Sequence, residues 1–316
     1  MKCSNSLQPS AFSLILKEVT LDLSVLYNVP HEIPWKVYIP LYFYFTGLSA
    51  GSFILSSLST VFGIKKYKPL ALPAAIISFV LLLVAPVCLI LDLQQPLRFW
   101  HTLVPSFFNP KSVLSYGSWL LTLYPIANML YIWFIFVKDD RMMKVLGTIT
   151  VPLAIFVHAY TGFAFAVIRA RTWWHSALMP GYFLTSAVLS GVALLLIVAF
   201  VMDKFSEKKL SEEVFSDLYN MMIAIILVDL FWLMSFWFTL LLSNADGFAS
   251  IITALHEPLY VWGEIVMGML VPLFLLIFPR TRRSRAWVSL SAILVVVGVF
   301  IMRYSLVFIG FAVPLS

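Results

Sequence analysis

The chain has 316 residues, of which 61% are hydrophobic and only 11% are charged, with a formal net charge of +6. Soluble domains carry about 25% charged residues, so this composition excludes a water-covered globule and makes lipid the main solvent. The positive excess does not make a nucleic-acid-binding face, because most Lys and Arg residues sit in short loops between apolar runs, the arrangement of membrane topology.

Residues 1–36 precede the first long apolar run. They show no signal peptide, since a basic stretch, an apolar core and a small-residue cleavage site do not follow one another. Within them, residues 11–27 (AFSLILKEVTLDLSVLY) are too polar to span and suit an interfacial helix. A helix needs about 20 apolar residues to cross a hydrocarbon core about 30 Å thick. Eight segments meet that length, at roughly 37–62, 70–91, 113–137, 145–168, 179–202, 216–243, 258–278 and 286–310. The alternating strands of an outer-membrane barrel are absent from the pattern. The expected fold class is therefore an all-α integral membrane protein of about eight transmembrane helices.

Local signals mark several ends. In the first segment, Gly47 and Gly51 within TGLSAGS leave a small-residue face against which a neighbour packs closely. Pro69 suits the start of the second segment, and residues 96–105 (PLRFWHTLVP) suit a second interfacial helix. Asn109 and Pro110 suit the cap and first position of the third. Pro279 follows the last apolar residue of the seventh.

Loop charge gives an orientation. On one side fall Lys65, Lys66, Lys68, Lys138, Arg141, Lys144, Lys204, Lys208, Lys209, Arg280, Arg282, Arg283 and Arg285. The other side has only Lys2, Lys17, Lys36, Arg98, Lys111, Arg169 and Arg171. The positive-inside rule puts the first set in the cytoplasm. A multi-pass protein of the inner (cytoplasmic) membrane with both termini on the periplasmic face is expected.

Redox metals find few ligands. Cys3 and Cys88 lack any metal-ligand spacing and read as structural. A bis-histidine haem needs histidines on facing helices inside the apolar zone. Only His158 lies well within a span, while His31, His101, His175 and His256 sit in loops or at helix ends. Neither haem nor metal is expected in this chain.

Hydrogen-bonding residues gather at the non-basic end. They include Asn28, His31, Glu32 and Trp35 before the first span, and Asp92, Gln94, Arg98, Trp100 and His101 after the second. Tyr116, Ser118 and Trp119 open the third span, and His158, Tyr160, Thr161, Arg169 and Arg171 lie at the end of the fourth. A quinone would use such a set: donors for two carbonyl oxygens, titratable groups for two protons, and an apolar cleft for its tail. His31 and His158 could shuttle protons near neutral pH. The alternative is an interfacial belt, with Trp and Tyr at headgroup level and Arg reaching outward. A second set is intramembrane: Asp229 in the sixth span, Glu264 in the seventh and Arg303 in the eighth. Ionisable groups at such depth are expensive and read as functional by default. Glu264 and Arg303 form either a proton-path element or a buried ion pair, and Asp229 has no evident partner.

Four stretches in order, PHEIPWKVYIPLYFYFTGLSAGSF, DLQQPLRFWH, NPKSVLSYGSW and HAYTGF followed by arginine, resemble the NrfD/PsrC family, most strongly over residues 28–175. These are membrane subunits of complex iron–sulfur molybdoenzymes such as polysulfide reductase. The resemblance implies two four-helix bundles, 37–175 with a quinone site and 176–316, after the N-terminal segment 1–36. It implies Asn28, His31 and Tyr160 as quinone contacts, and Asp92 as an acidic proton-pathway residue. His158, Arg169 and Tyr116 complete the candidate quinone site, and Asp92, Asp229, Glu264 and Arg303 the candidate proton path. The implied cofactor is menaquinone or ubiquinone. The implied partners are a ferredoxin-like iron–sulfur subunit and a molybdopterin catalytic subunit, in a complex free to dimerise as a whole.

The function expected is a quinone- or quinol-binding membrane anchor that exchanges electrons with an iron–sulfur partner, with coupled proton transfer. It would carry the quinone redox site of an oxidoreductase without being its catalytic centre. Two rivals stand against it. A secondary transporter would need matched broken helices near midplane, for which Pro152 and Pro272 are the only hints. A purely structural anchor would bind no quinone.

Overall fold

The computed structural model describes residues 35–93, 95–104, 108–205 and 209–312. Among them are eight helices long and apolar enough to cross a membrane, and no strand. In chain order, α1 is Tyr38–Thr60 and α2 is Lys68–Asp92, the latter preceded by a 3-10 turn at Lys65–Tyr67. A 3-10 helix at Pro96–Leu103 follows, then α3 at Val113–Val137 and α4 at Asp140–Ala166. Next come α5 (Met179–Phe205), α6 (Glu212–Leu241) and the short α7 (Ala245–His256). The chain continues through α8 (Leu259–Ile277), the four-residue α9 (Pro279–Arg282) and α10 (Arg285–Ala312). The expected interfacial helix at 11–27 lies outside the described residues.

Several ends differ from the expectation, each for a local reason. Asn109 and Pro110 do not cap α3, which begins at Val113. The Asn109 side chain accepts from the Lys111 N–H at 3.0 Å, and the Pro110 carbonyl accepts from the Tyr116 hydroxyl at 3.1 Å. These bonds make a turn ahead of the helix, the alternative use of an Asn side chain. Helix α4 starts at Asp140, before the apolar run, because Asp139 Oδ1 accepts from the N–H groups of Arg141 and Met142 at 3.1 and 3.0 Å. The polar stretch before the seventh span holds α7, capped by Asn244 accepting from Gly247 N–H at 2.8 Å. In α8 the first twelve residues, Leu259–Leu270, form wide π-helical turns before ordinary α-helix resumes at Val271.

Helix α1 is the spine. In the central window of α1, 72% of residues are buried, against 28% in α3, α4 and α6, whose outer faces are left for lipid. It packs against α2, α4, α5 and α10. The small face read from TGLSAGS is the reason. A Cβ on Gly51 would lie 2.2 Å from the Ala187 carbonyl oxygen of α5, and one on Gly191 of α5 would lie 2.4 Å from the Gly51 carbonyl carbon. The two backbones touch, as small residues allow in membranes. Helices α8 and α10 repeat the device at Gly268 and Gly298, where an added Cβ would meet the opposite Cα at 2.7 and 2.3 Å.

Hydroxyls tie α1 to α2 and α3. Ser49 Oγ donates to the Ser78 carbonyl at 2.8 Å, and Ser78 Oγ lies 3.0 Å from Tyr124 Oη and 3.1 Å from Asn128 Nδ2. One level along, Ser56 Oγ donates to the Ala71 carbonyl at 2.7 Å, and Tyr131 Oη lies within 3.1 Å of Ser56 and 2.7 Å of Thr60. Hydrocarbon offers these groups no other partner.

Overpacking the α1–α5 contact should be costly. Gly51→Val in the full chain is expected to lose about 1–3 kcal/mol of stability, read as a lowered midpoint of unfolding in mixed detergent and SDS. An unchanged midpoint would mean that the backbone contact does not hold these helices together.

Candidate functional site

His158 and Tyr160 are two residues apart on α4, about 200° around a helix, so they serve different places. The Tyr160 ring is buried against Gly117 of α3, where an added Cβ would meet the ring at 2.2 Å. Its hydroxyl is hydrogen-bonded to the Tyr42 hydroxyl of α1. Tyr160 also lines a cavity of about 240 Å³. The other walls are apolar residues from the end of α2 (Pro86, Ile90), from the 3-10 helix (Phe99, Leu103) and from α3 (Leu114, Leu121), with Ser118 and Thr122 adding hydroxyls. The cavity lies at the Asp92 end of α2, opposite its Lys65–Lys68 end.

Around this region the candidates separate. Asp92, the last residue of α2, accepts at Oδ1 from the Lys36 N–H at 3.1 Å, which ties the end of α2 to the approach to α1. Tyr116 is exposed and turned to the Pro110 carbonyl, and it borders a separate hollow with Phe108, Trp119 and Leu123. Arg169 is exposed on the segment after α4. Asn28 and His31 lie outside the described residues. Other members of the set pack within the protein. Trp35 stacks on Trp174 with centroids 5.4 Å apart, and Trp174 Nε1 donates to the Leu306 carbonyl at 2.8 Å. Arg171 Nη1 donates to the Gly310 carbonyl at 2.6 Å, a cation at the C-terminal end of α10. Desolvation by partial burial lowers the Arg171 pKa from its ordinary value.

His158 belongs to a second centre, buried among α4, α5, α6, α8 and α10. Arg303 of α10 is 1% exposed, with its guanidinium 3.8 Å from the centre of the Phe183 ring. Its Nη2 lies 2.6 Å from Ser186 Oγ, 3.0 Å from the Phe183 carbonyl oxygen and 3.0 Å from His158 Nε2. His158 Nε2 is itself 2.9 Å from that carbonyl. Two hydrogens on Nη2 face three acceptors, so the imidazole tautomer selects the pattern. With its proton on Nδ1, His158 accepts from Arg303; with it on Nε2, His158 donates to the Phe183 carbonyl and Arg303 serves the carbonyl and Ser186.

The carboxyl groups are close by but not bonded to Arg303. Glu264 Oε1 accepts from the Tyr182 hydroxyl at 2.9 Å, and neither Glu264 Oε2 nor either Asp229 oxygen has a hydrogen-bond partner among the described residues. Arg303 interacts electrostatically with both. Of the two readings of Glu264 and Arg303, the direct ion pair is not made among the described residues. Helix α5 bonds one atom of each, Arg303 Nη2 and Glu264 Oε1, while Arg303 Nε and Nη1 and Glu264 Oε2 have no hydrogen-bond partner among the described residues. Reading the sequence missed Tyr42, Tyr182 and Ser186. Their one signal was a hydroxyl inside an apolar run, which has to be matched once buried.

Comparison with known proteins places this arrangement. The profile of the family described as "Polysulphide reductase, NrfD" matches residues 26–314. The sequence is 27% identical to a selenate reductase subunit from Mesobacillus selenatarsenatis, aligned over 89% of its own length and 74% of that protein. It is 27% identical to the Hdr-like menaquinol oxidoreductase integral membrane subunit of Archaeoglobus fulgidus, over 98% and 81%. To a polysulfide reductase component from Wolinella succinogenes it is 26% identical, over 89% and 95%.

Removing the buried cation should strand the carboxyl groups. Arg303→Gln is expected to destabilise the full chain by about 3–5 kcal/mol. Adding Glu264→Gln to that variant should recover about 1 kcal/mol or more of it. Strictly additive losses in the double-mutant cycle would show that the two side chains do not act together.

Proposed function

Because the chain belongs to the NrfD family of polysulphide reductase membrane subunits, we propose that it is the quinone- or quinol-reactive membrane subunit of a respiratory oxidoreductase complex. The observation that carries this reading is Tyr160 standing at the wall of an apolar cavity between α2 and α3, with its hydroxyl held by Tyr42.

The residues present fit a quinone. The cavity walls are mostly apolar, as an aromatic ring and isoprenoid tail require, and the polar side chains are few: Thr102, Ser118, Thr122 and Tyr160. When bound, a quinone supplies a couple of two electrons and two protons. The paired phenols of Tyr160 and Tyr42 offer a donor to a carbonyl oxygen and a route for its proton. Asn28 and His31, immediately before α1 in sequence, are proposed to hold the other polar edge. Asp92 is proposed to exchange protons with water at the non-basic end, which positive-inside logic assigns to the periplasmic face. His158, Arg303, Glu264 and Asp229 extend the titratable groups toward the membrane interior as a proton path. Electrons would pass to an iron–sulfur partner wired to a molybdopterin catalytic subunit. The names of relatives that are subunits of selenate and polysulfide reductases and of a menaquinol oxidoreductase support this assignment.

Two measurements test it. Solvent extraction of the purified complex should release an isoprenoid quinone. Tyr160→Phe and His31→Ala should each slow quinol oxidation by about tenfold, the worth of one lost hydrogen bond to a buried group. A complex without quinone, or unchanged turnover in both variants, rejects the site.

A further inference from the structure

At the basic end of the bundle, four spans and the short α9 meet around a hollow of about 490 Å³. Its polar rim is Arg282, Arg283 and Arg285 with Glu212, and Phe200 of α5, Ile277 of α8 and Val288 of α10 give it an apolar wall. Every contributing span ends or begins within a few residues of this place: α5 at Phe205, α6 at Glu212, α8 at Ile277 and α10 at Arg285. The hollow therefore sits at the boundary of hydrocarbon and headgroups, whichever way the protein faces.

The rim itself carries three guanidiniums against one carboxylate. The acids described nearby are engaged with other cations, two on each. Asp203 and Glu212 pair with Arg285, and Glu213 and Asp217 pair with Lys66. Among the described residues Arg282 has neutral partners: its Nη2 donates to Asn220 Oδ1 at 3.0 Å, and its guanidinium lies 4.5 Å from the centre of the Tyr219 ring. Arg283 makes no ion pair among the described residues. Arg282, half-buried, and Arg283, exposed, thus share one rim above an apolar wall with no ion pair among the described residues. Guanidinium matches phosphate oxygens in a planar, two-pronged geometry, so an anion suits this pair.

We propose that this hollow binds the phosphate of an anionic phospholipid, with Arg282 and Arg283 holding the headgroup and an acyl chain lying along Phe200, Ile277 and Val288. Basic pockets between membrane helices are suited to such headgroups. The apolar wall is what a free phosphate ion would not use.

Native mass spectrometry of the full chain, titrated with phosphatidylglycerol or with phosphatidylcholine of the same acyl chains, tests the site. Phosphatidylglycerol should bind at least about tenfold more tightly, and Arg282→Gln with Arg283→Gln should abolish that preference. Arg283→Gln alone, which breaks no ion pair among the described residues, should weaken phosphatidylglycerol by about fivefold and so decides the matter if the double variant does not fold. Equal binding of the two lipids, or a preference untouched in Arg283→Gln, overturns the proposal. So does displacement of phosphatidylglycerol by millimolar inorganic phosphate, which would mark a site for the free anion.

Discussion

In hydrocarbon no water stands ready to satisfy a polar group, so each one carried into the bundle must find its partner inside the protein. That constraint arranges this chain. Backbone groups are absorbed by the helices. Two layers of side-chain hydroxyls are then matched along α1, Ser49 with Ser78 and Tyr124 and Ser56 with Tyr131, while Ser52 and Ser59 Oγ have no partner among the described residues. Interhelical bonds of this kind contribute only about 0.6–2 kcal/mol each in membranes. Their larger effect is on register, because sliding α1 along α2 or α3 would leave several hydroxyls unmatched at once.

Close approach of backbones is the second half of the same solution. Three glycines each make room for a ring from another helix or loop. An added Cβ on Gly47 would meet His158 at 2.9 Å, on Gly117 would meet Tyr160 at 2.2 Å, and on Gly310 would meet Trp174 at 2.0 Å. The three rings belong to the buried arginine centre, the cavity wall and the aromatic cluster of Trp35, Trp174 and Phe311. A residue type chosen for packing thus sets the position of the groups that carry chemistry. This links the packing reading of Gly47 in TGLSAGS to the site, a link that spacing within one helix cannot reveal.

The spans were legible because length and hydropathy report directly on the thickness to be crossed. Tyr160, His158, Asp229, Glu264 and Arg303 were legible as unusual residues at depth. Their grouping was not. His158 and Tyr160 looked like one site because they are near in sequence, yet a helix turns them apart. Glu264 and Arg303 could be read as a pair because their depths match, yet their hydrogen bonds among the described residues go to α5 instead. Asn109 misled because the same side chain that caps a helix also closes a turn. The wide turns of α8 leave no periodic signature in an all-apolar segment, although they carry Glu264.

The two centres stand on opposite faces of α4 and differ in what they can tolerate. At Tyr160 the polar atoms are neutral phenols beside an apolar cavity, a combination stable with or without a guest. Around Arg303, one guanidinium faces two carboxyl groups with three of their four oxygens unbonded among the described residues. Apolar side chains of similar volume would often stabilise such a place, so stability alone does not account for keeping it. Arg303 makes its hydrogen bonds to Ser186 and the Phe183 carbonyl and lies over the Phe183 ring, not on the acids, among the described residues. Because no direct ion pair locks Glu264 to Arg303 among the described residues, we propose Glu264 and Asp229 as the carboxyl groups of the proton path, with the contacts among α4, α5 and α10 carried instead by Arg303, His158 and Ser186.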